Sequence, residues 1–560
     1  MMISMARFGR LGSAWIFLAA VGAASRASEP VKVEAGRVAE VAFASTKARP
    51  DPFNQVEVDV VFTAPDGADL RVPAFWAGGR TWKVRYSSRI VGAHRFRSES
   101  SDADDQALHG VEGVVEVVPY TGGNPLLRRG PIRIADDRHH FAYADGTPFF
   151  WLGDTWWMGF ADRLAFPDDF AKLADDRVTK GFNVVQIVAG LYPDMPAFDP
   201  RGRNEAGFPW EPDYARINPS YFDEADRRVA FLADRGIVPC VVGAWGYHLP
   251  WLGEAKMKRH WRNLVARWGA YPVVWCASGE TTMPFYLSKT RDQDVERQKK
   301  SWTEILGYIH EIDPFHRLVT CHPARTARES VTDPTVLDFD MQQTGHGTPP
   351  QGHAALASGG WNAKPTMPVI SGEARYEALE INPTLTAADA RQAFWSHMIA
   401  GGCAGGTYGA NGIWQINRQD KPYGNSPAGN NWGTTPWDVA MNLPGSAQVA
   451  AAARFVTTIP GWSRFEPRPD LVAWADPAEN APAPLCVAEP DGTRLVYILK
   501  PGPVRLSGLP AGATFELRWF DPVAGAAAAP VALSPSPDGS ATVSPPEGDH
   551  DWALAATLKR

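Results

Sequence analysis

Two short segments place a glutamate in the same setting. Ser278-Gly279-Glu280 follows the apolar run Val273-Val274-Trp275-Cys276-Ala277, and Ser371-Gly372-Glu373 closes the run that begins Met367-Pro368-Val369-Ile370. Each carboxylate comes directly after a β-like stretch and a small residue that lets the chain approach a barrel axis. One glutamate after a strand is ordinarily a capping or surface group. Two in matching places suit chemistry that needs paired carboxyl groups. One protonates the leaving oxygen of a glycosidic bond, and the other attacks the anomeric carbon or activates water. Carboxyl groups about 5–5.5 Å apart go with retention of configuration, and about 6.5–9.5 Å with inversion.

Other β-run ends carry side chains that fit a sugar. Asp154 and Trp156 follow the first run, Gln186 lies on the second, and Trp245, Tyr247 and His248 follow the third. His322 comes after the fifth, Gln343 and His346 after the sixth, and Tyr408, Asn411 and Trp414 at or after the eighth. Polar groups bond hydroxyls, while Trp and Tyr stack on apolar C–H faces. Tyr376 and Glu377, just past Glu373, are placed to orient it, and Glu377 is a second candidate nucleophile. Asp154 reads equally as a ligand carboxylate or a turn cap. His322 and His346 read as substrate-binding or as tuning a glutamate, with a structural role as the alternative.

Other chemistries find little support. HExxH, GxSxG and GxxxxGK[ST] are absent, so no cofactor is implied. His322, His346 and His353 lack zinc-ligand spacing, and a metal-dependent hydrolase would require His322 and His346 to converge with a carboxylate. The adjacent His139-His140 reads as a surface pair on a strand. Cys240, Cys276, Cys321, Cys403 and Cys486 read as small buried hydrophobes rather than a disulfide scaffold.

The elements that must position these groups follow from periodicity. Over residues 131–460 eight β-runs begin at Phe149, Phe182, Ile237, Val273, Arg317, Leu337, Met367 and Gly405. Helical stretches at 168–180, 221–235, 298–312 and 387–400 lie between several of them. Strands alternating with helices over this length predict a (β/α)8 TIM barrel, whose strand ends carry the active site. A doubly wound sheet is the alternative, but no GxGxxG follows a strand. Residues 28–125 read as a β-sandwich: Val56, Val58 and Val60 alternate with Glu57 and Asp59, and turn residues follow at Thr63-Ala64-Pro65-Asp66-Gly67. Residues 465–560 read as a second small β-sandwich, with the Ala526–Ala529 stretch as a loop between Gly525 and Pro530.

Residues 1–27 read as a secretory signal peptide. Arg7 and Arg10 precede the apolar run 11–24, and Ser25-Arg26-Ala27 offers a small-x-small cut. The expected location is therefore secreted or periplasmic, with no membrane span. The 560 residues carry 55 Lys+Arg against 62 Asp+Glu, a net charge of −7, and no basic run, which argues against nucleic acid as a partner. Hydrophobic residues at 44 % and charged ones at 21 % exclude a disordered, collagen-like or coiled-coil chain. The 11 % of aromatic residues calls for large cores or a surface that stacks on flat ligands.

With these residues in view, Trp151-Leu152-Gly153-Asp154-Thr155, Lys180-Gly181-Phe182-Asn183-Val184-Val185-Gln186, Leu337-Asp338-Phe339-Asp340-Met341-Gln342 with Gly345-His346, Gly372-Glu373 with Tyr376-Glu377, and Gly406-Thr407-Tyr408-Gly409 form a recognisable set. It resembles the apiosidase-like catalytic domain of glycoside hydrolase family 140. Phe62-Thr63-Ala64-Pro65-Asp66-Gly67 with Pro73-Ala74-Phe75-Trp76 resembles the immunoglobulin-like domain that often precedes such barrels. Trp519-Phe520-Asp521-Pro522-Val523-Ala524-Gly525 resembles a C-terminal β-domain labelled collagen-binding. The resemblance implies a retaining hydrolase with Glu280 as acid/base and Glu373 as nucleophile. Relatives often have Gly-Gly-Asp where this chain has Ser278-Gly279-Glu280, which leaves open a substrate other than apiose-containing pectin. The expectation is a secreted glycosidase of plant or microbial oligo- or polysaccharide. The rival is a catalytically inactive carbohydrate- or matrix-binding barrel, whose two carboxyl groups would stand above about 10 Å apart.

Overall fold

The structure, a computed structural model, describes residues 30–476, 482–490 and 492–559, so the expected signal peptide lies outside the described residues. The central segment is built on eight parallel strands: β1 Trp151–Thr155, β2 Val184–Val188, β3 Val238–Val242, β4 Val274–Cys276, β5 Val319–Thr320, β6 Asp340–Gln343, β7 Val369–Glu373 and β8 Gly405–Tyr408. Every residue in them is buried, as expected of parallel strands covered on both faces. The ladder order is β5-β4-β3-β2-β1-β8-β7-β6. Asp338 completes the circuit between β5 and β6: its amide donates to the Val319 carbonyl at 2.9 Å, and its carboxylate accepts from the Val319 amide at 2.7 Å. This is the (β/α)8 barrel that the alternation predicts.

Among the described residues, seven helices of thirteen residues or more surround it: α1 Asp168–Lys180, α2 Pro219–Asp234, α3 Glu254–Trp268, α4 Arg291–Ile312, α5 Pro350–Asn362, α6 Ala387–Ile399 and α7 Pro444–Thr458. Helix α1 starts with Asp168 and Asp169, ends with Arg177 and Lys180, and stops at Gly181 with φ +99°, so charge and cap both agree with its direction. A Thr386–Asp389 capping box opens α6. Helix α4 begins well before the stretch read from sequence, because its first turns are polar and carry no apolar period. The β5–β6 connection is made of two 3-10 turns, Arg328–Ser330 and Pro334–Val336.

A small sheet of Ile132–Ile134, Phe141–Tyr143 and Pro148–Phe149 precedes β1, with Phe141 packed edge-on to Phe339 at 5.3 Å. The histidine pair before it is not a surface feature. His139 stacks on Trp361 at 3.7 Å, and His140 is 1 % exposed with its ring bonded to Asp137 at 2.6 Å, because the Asp137 turn folds both rings inward.

The N-terminal segment is a sandwich of a five-stranded and a three-stranded sheet, in which Val58, Val60 and Phe62 alternate inward along one strand. Buried Arg85 ties it to the barrel by bonding Asp226 of α2 at 2.7 Å, and Arg267 of α3 bonds the same oxygen at 2.7 Å. The C-terminal sandwich has its own core and docks on α6 through Arg391–Asp551 at 2.6 Å and Trp395 stacked on Tyr497 at 5.3 Å. Of the stretch read as a loop, Ala526–Ala527 is an edge strand paired with Phe520 and Asp521, where pairing with a neighbour overrides the local turn signal, while Ala528–Ala529 lie in neither strand nor helix. All five cysteines are buried free thiols.

Candidate active site

The Ser278-Gly279-Glu280 segment is pinned from both sides. The Gly279 amide donates to Ala244 and the Gly246 amide to Gly279 on the β3 side, while the His322 amide donates to Ser278 and the Thr281 amide to His322 on the β5 side. Glu280 is held at φ +37°, a conformation that side-chain-bearing residues rarely adopt and that clusters at functional sites. The glycines in the two Ser-Gly-Glu segments have a steric reason: a Cβ at Gly279 would overlap the Trp245 indole, and one at Gly372 the Met341 side chain.

Glu373 is the last residue of β7 and stands in register with Gln343 at the end of β6. The Gln343 amide nitrogen lies 3.0 Å from Glu280 Oε1 and 3.2 Å from Glu373 Oε1. Two oxygens held by one nitrogen are no more than about 6 Å apart, well short of the separation of about 10 Å that an inactive scaffold would show. Trp245 Nε1 donates to Glu280 Oε2 at 3.2 Å. His322 Nε2 and His346 Nε2 stand 3.3 Å and 3.1 Å from the two oxygens of Glu373. Trp157 packs edge-on to both Trp245 and His322 at 5.4 Å and 5.2 Å, and Tyr376 lies against His346 at 4.7 Å.

Electrostatics divide the two glutamates. Burial, with the charge of Glu373 behind it, pushes the Glu280 carboxyl up to about 7. Glu373 is buried as well, but the His322 and His346 imidazoles outweigh that burial and hold it well below the usual carboxylate range. In return Glu373 raises His346 above its ordinary value against the burial of the ring. The pair is thus arranged as one protonated acid and one anion near neutral pH, the division of labour that acid–nucleophile chemistry needs.

Glu280, Glu373, Trp245, His322, Gln343, His346 and Tyr376 therefore come together as the sequence predicts. Gln186 lies beneath them, its amide donating to the Gly372 carbonyl at 2.7 Å. Asp154 and Trp156 do not line the cleft. Asp154 points out of the barrel, where its Oδ2 accepts from Arg177 of α1 at 2.6 Å and from Trp156 Nε1 at 2.7 Å. Tyr408, in register with Asp154, shares that outward face; its hydroxyl bonds Glu377 at 2.6 Å, and the Gly445 amide holds the same Glu377 oxygen. Strand alternation decides both cases, and Glu377, beyond the end of β7, is held on that outer face by Tyr408 and Gly445 rather than beside Glu280. His248 Nε2 donates to the Tyr192 carbonyl at 3.0 Å and stacks on Tyr247, while Trp414 packs against Tyr423. Both are packing residues. The two histidines do converge on Glu373, yet among the described residues no group of three or more His, Cys, Asp or Glu is placed to hold a metal ion.

The sequence reading misses Asp194, Tyr286 and Trp432. They sit in irregular loops after β2, β4 and β8, where no periodicity marks a residue's direction. Burial pushes the Asp194 carboxyl above its ordinary value, and the charge of Glu373 adds to that push.

The buried Arg177–Asp154 pair yields a stability prediction. Arg177→Met leaves the carboxylate inside the barrel wall without its cation. The expected cost is about 3–5 kcal/mol, read as a lowered urea midpoint; an unchanged midpoint would show that the pair does not hold α1 to β1.

Comparison with known proteins follows the same division of the chain. The family described as "Apiosidase-like, catalytic domain" matches residues 135–463, and the "Domain of unknown function (DUF5060)" matches residues 32–101. No curated protein matches. Among solved structures, one titled "Glycoside hydrolase" is 21 % identical and covers 78 % of this chain and 98 % of its own, with a TM-score of 0.64. A glycoside hydrolase family 5 structure from Bacteroides vulgatus is also 21 % identical, covering 78 % of this chain and 94 % of its own at a TM-score of 0.65. Another structure from that organism, 18 % identical, covers 94 % of this chain and 100 % of its own at 0.67. At these identities the likeness is one of fold.

Proposed function

The chain belongs to the family of apiosidase-like catalytic domains and is a glycosidase; from that premise we propose that it hydrolyses its substrate with retention, Glu280 serving as acid/base and Glu373 as nucleophile. The observation that carries this reading is the single Gln343 amide bonded to both carboxylates. It brings one oxygen of each carboxylate within about 6 Å of the other, which is compatible with the spacing of a retaining pair. In the first step Glu373 attacks the anomeric carbon while Glu280 gives its proton to the leaving oxygen. A glycosyl ester forms and the glycosidic C–O bond breaks. In the second step Glu280 takes a proton from water, and that water displaces Glu373. The histidines stabilise Glu373 as the anion in the free enzyme, and Trp245 orients Glu280.

The anomer released first, followed by proton NMR at early times, tests the stereochemistry. Retention is expected, and inversion would overturn the nucleophile role of Glu373. We also propose that the enzyme is exported and acts on plant or microbial polysaccharide, the activity of glycoside hydrolase family 140 being the nearest pattern. The basic start and apolar run of residues 1–24 support export, and among the described residues no helix is long and apolar enough to cross a membrane.

The pH dependence follows from the two shifts. Glu280 must be protonated, so kcat/KM falls as pH rises through about 7. Glu373 must be ionised, and its lowered value keeps it so until well below the usual carboxylate range. A broad acidic-to-neutral optimum is therefore expected. Activity that rises steadily above pH 8 would contradict the acid role of Glu280.

A further inference from the structure

The end of the barrel away from the two glutamates holds a buried cation that the proposed reaction does not use. Arg317, just before β5, is 8 % exposed. Its Nε donates to the Gly269 carbonyl at 3.0 Å. Among the described residues, its two Nη nitrogens make no hydrogen bond or ion pair. The charge of Asp313 reaches it, but the Asp313 oxygens are taken by the Phe315 and Arg317 amides and by Trp275 Nε1. Burial pushes the guanidinium down to about 10, so it keeps its charge at neutral pH.

Arg317 lines a cavity of about 150 Å³ between the N-terminal sandwich and the barrel. Leu126, Leu127 and Phe315 give this cavity an apolar wall, and exposed Arg89 of the sandwich stands at its rim. Arg89 is held there by the carbonyls of Arg128 and Arg129, each at 3.1 Å. Gly130 makes room for it: the residue sits at φ +88°, and a Cβ there would overlap Arg89 Nη1. Both Arg89 Nη groups keep a second N–H for another acceptor. Among the described residues no Asp or Glu lines the cavity. Exposed Asp145 lies near Arg89 and Arg129, with its carboxylate accepting from the Thr147 amide at 2.9 Å.

Buried charges are ordinarily paired, and a guanidinium fork matches a carboxylate in two parallel bonds. An apolar-walled cavity of about 150 Å³ accepts a six-membered ring such as benzene. The lining therefore suits a ring that bears one carboxylate. Pro272 and Arg317 border the cavity just before β4 and β5, whereas Glu280 and Glu373 stand at the opposite strand ends.

We propose that this junction is a binding site for a compact ring carboxylate. The carboxylate bonds the Nη edge of Arg317, with Arg89 at the rim, and the ring lies against Leu126, Leu127 and Phe315. An aromatic acid and a sugar acid share that chemistry.

A ligand-observed NMR titration of the full chain with benzoate, benzamide, glucuronate and inorganic phosphate tests it. At least one of the two acids is expected to bind roughly tenfold tighter than neutral benzamide. It should also raise the thermal midpoint, because it binds only where sandwich and barrel are docked. Benzoate as the tighter ligand identifies an aromatic-acid site, and glucuronate a sugar-acid site. Arg317→Gln should remove most of the preference over benzamide, and Arg89→Ala should weaken it severalfold. Both variants should keep turnover of an accepted glycoside, since the cavity lies at the end of the barrel opposite Glu280. Arg89 is exposed, so its replacement tests the site even where Arg317→Gln lowers stability. Acids that bind no tighter than benzamide, phosphate that binds as tightly as the better acid, or a preference that survives both substitutions overturns the proposal.

Discussion

Glu373→Gln is expected to lower kcat by roughly 10⁴-fold or more, the scale seen when a covalent nucleophile is removed. The side chain keeps its shape, so the loss comes from chemistry. An amide cannot form the glycosyl ester, and it replaces an anion that two imidazoles, His322 at 3.3 Å and His346 at 3.1 Å, are placed to stabilise. Folding should survive, because Gln343 and His346 can still bond a neutral amide. A thermal midpoint within a few degrees of the parent would confirm it. Full activity in a folded Glu373→Gln chain would remove Glu373 from the mechanism.

Glu280→Ala should behave differently, and the contrast is the stronger evidence. General acid catalysis is worth about 10²–10⁴-fold, and it matters most where the leaving group is poor. With a dinitrophenyl leaving group, the first step of the variant should stay fast and the glycosyl-enzyme should accumulate. Azide should then accelerate turnover by displacing Glu373, and it should yield a glycosyl azide of retained configuration. The descending limb of kcat/KM near pH 7 should vanish with that substrate, since the group pushed up to about 7 is gone. Absence of any azide effect would leave Glu280 without its acid/base role.

The two carboxylates and most of their partners were legible because the barrel imposes a rule on sequence. Strand ends face one mouth, so a glutamate after a buried β-run and a small residue is aimed at the cleft wherever it falls. The rule fails one position away. Asp154 and Tyr408 sit on strand residues whose side chains point outward, and Arg177 and Glu377 occupy them there. Direction on a strand alternates every residue, and the runs Trp151–Thr155 and Gly405–Tyr408 show no alternation of apolar and polar residues, so no pattern says which face is which.

By itself the sequence determined the order of sandwich, barrel and sandwich, the position of Glu280 and Glu373 at the ends of two β-runs, and the helix bounds of α1, where charge and a terminal glycine agree. Tertiary structure supplied the physical basis for the proposed choice of Glu280 as the acid, which the family resemblance implied. That choice depends on Gln343 and two imidazoles reaching Glu373 from β5 and β6, and on burial that leaves Glu280 without an ion pair. Tertiary structure also decided that Asp194, Tyr286 and Trp432 meet at all, with Tyr286 and Trp432 both donating to Asp194. They come from three loops far apart in the chain, and loops have no period from which a meeting point could be read. Their contact exists only because the closed sheet brings the ends of β2, β4 and β8 around one mouth.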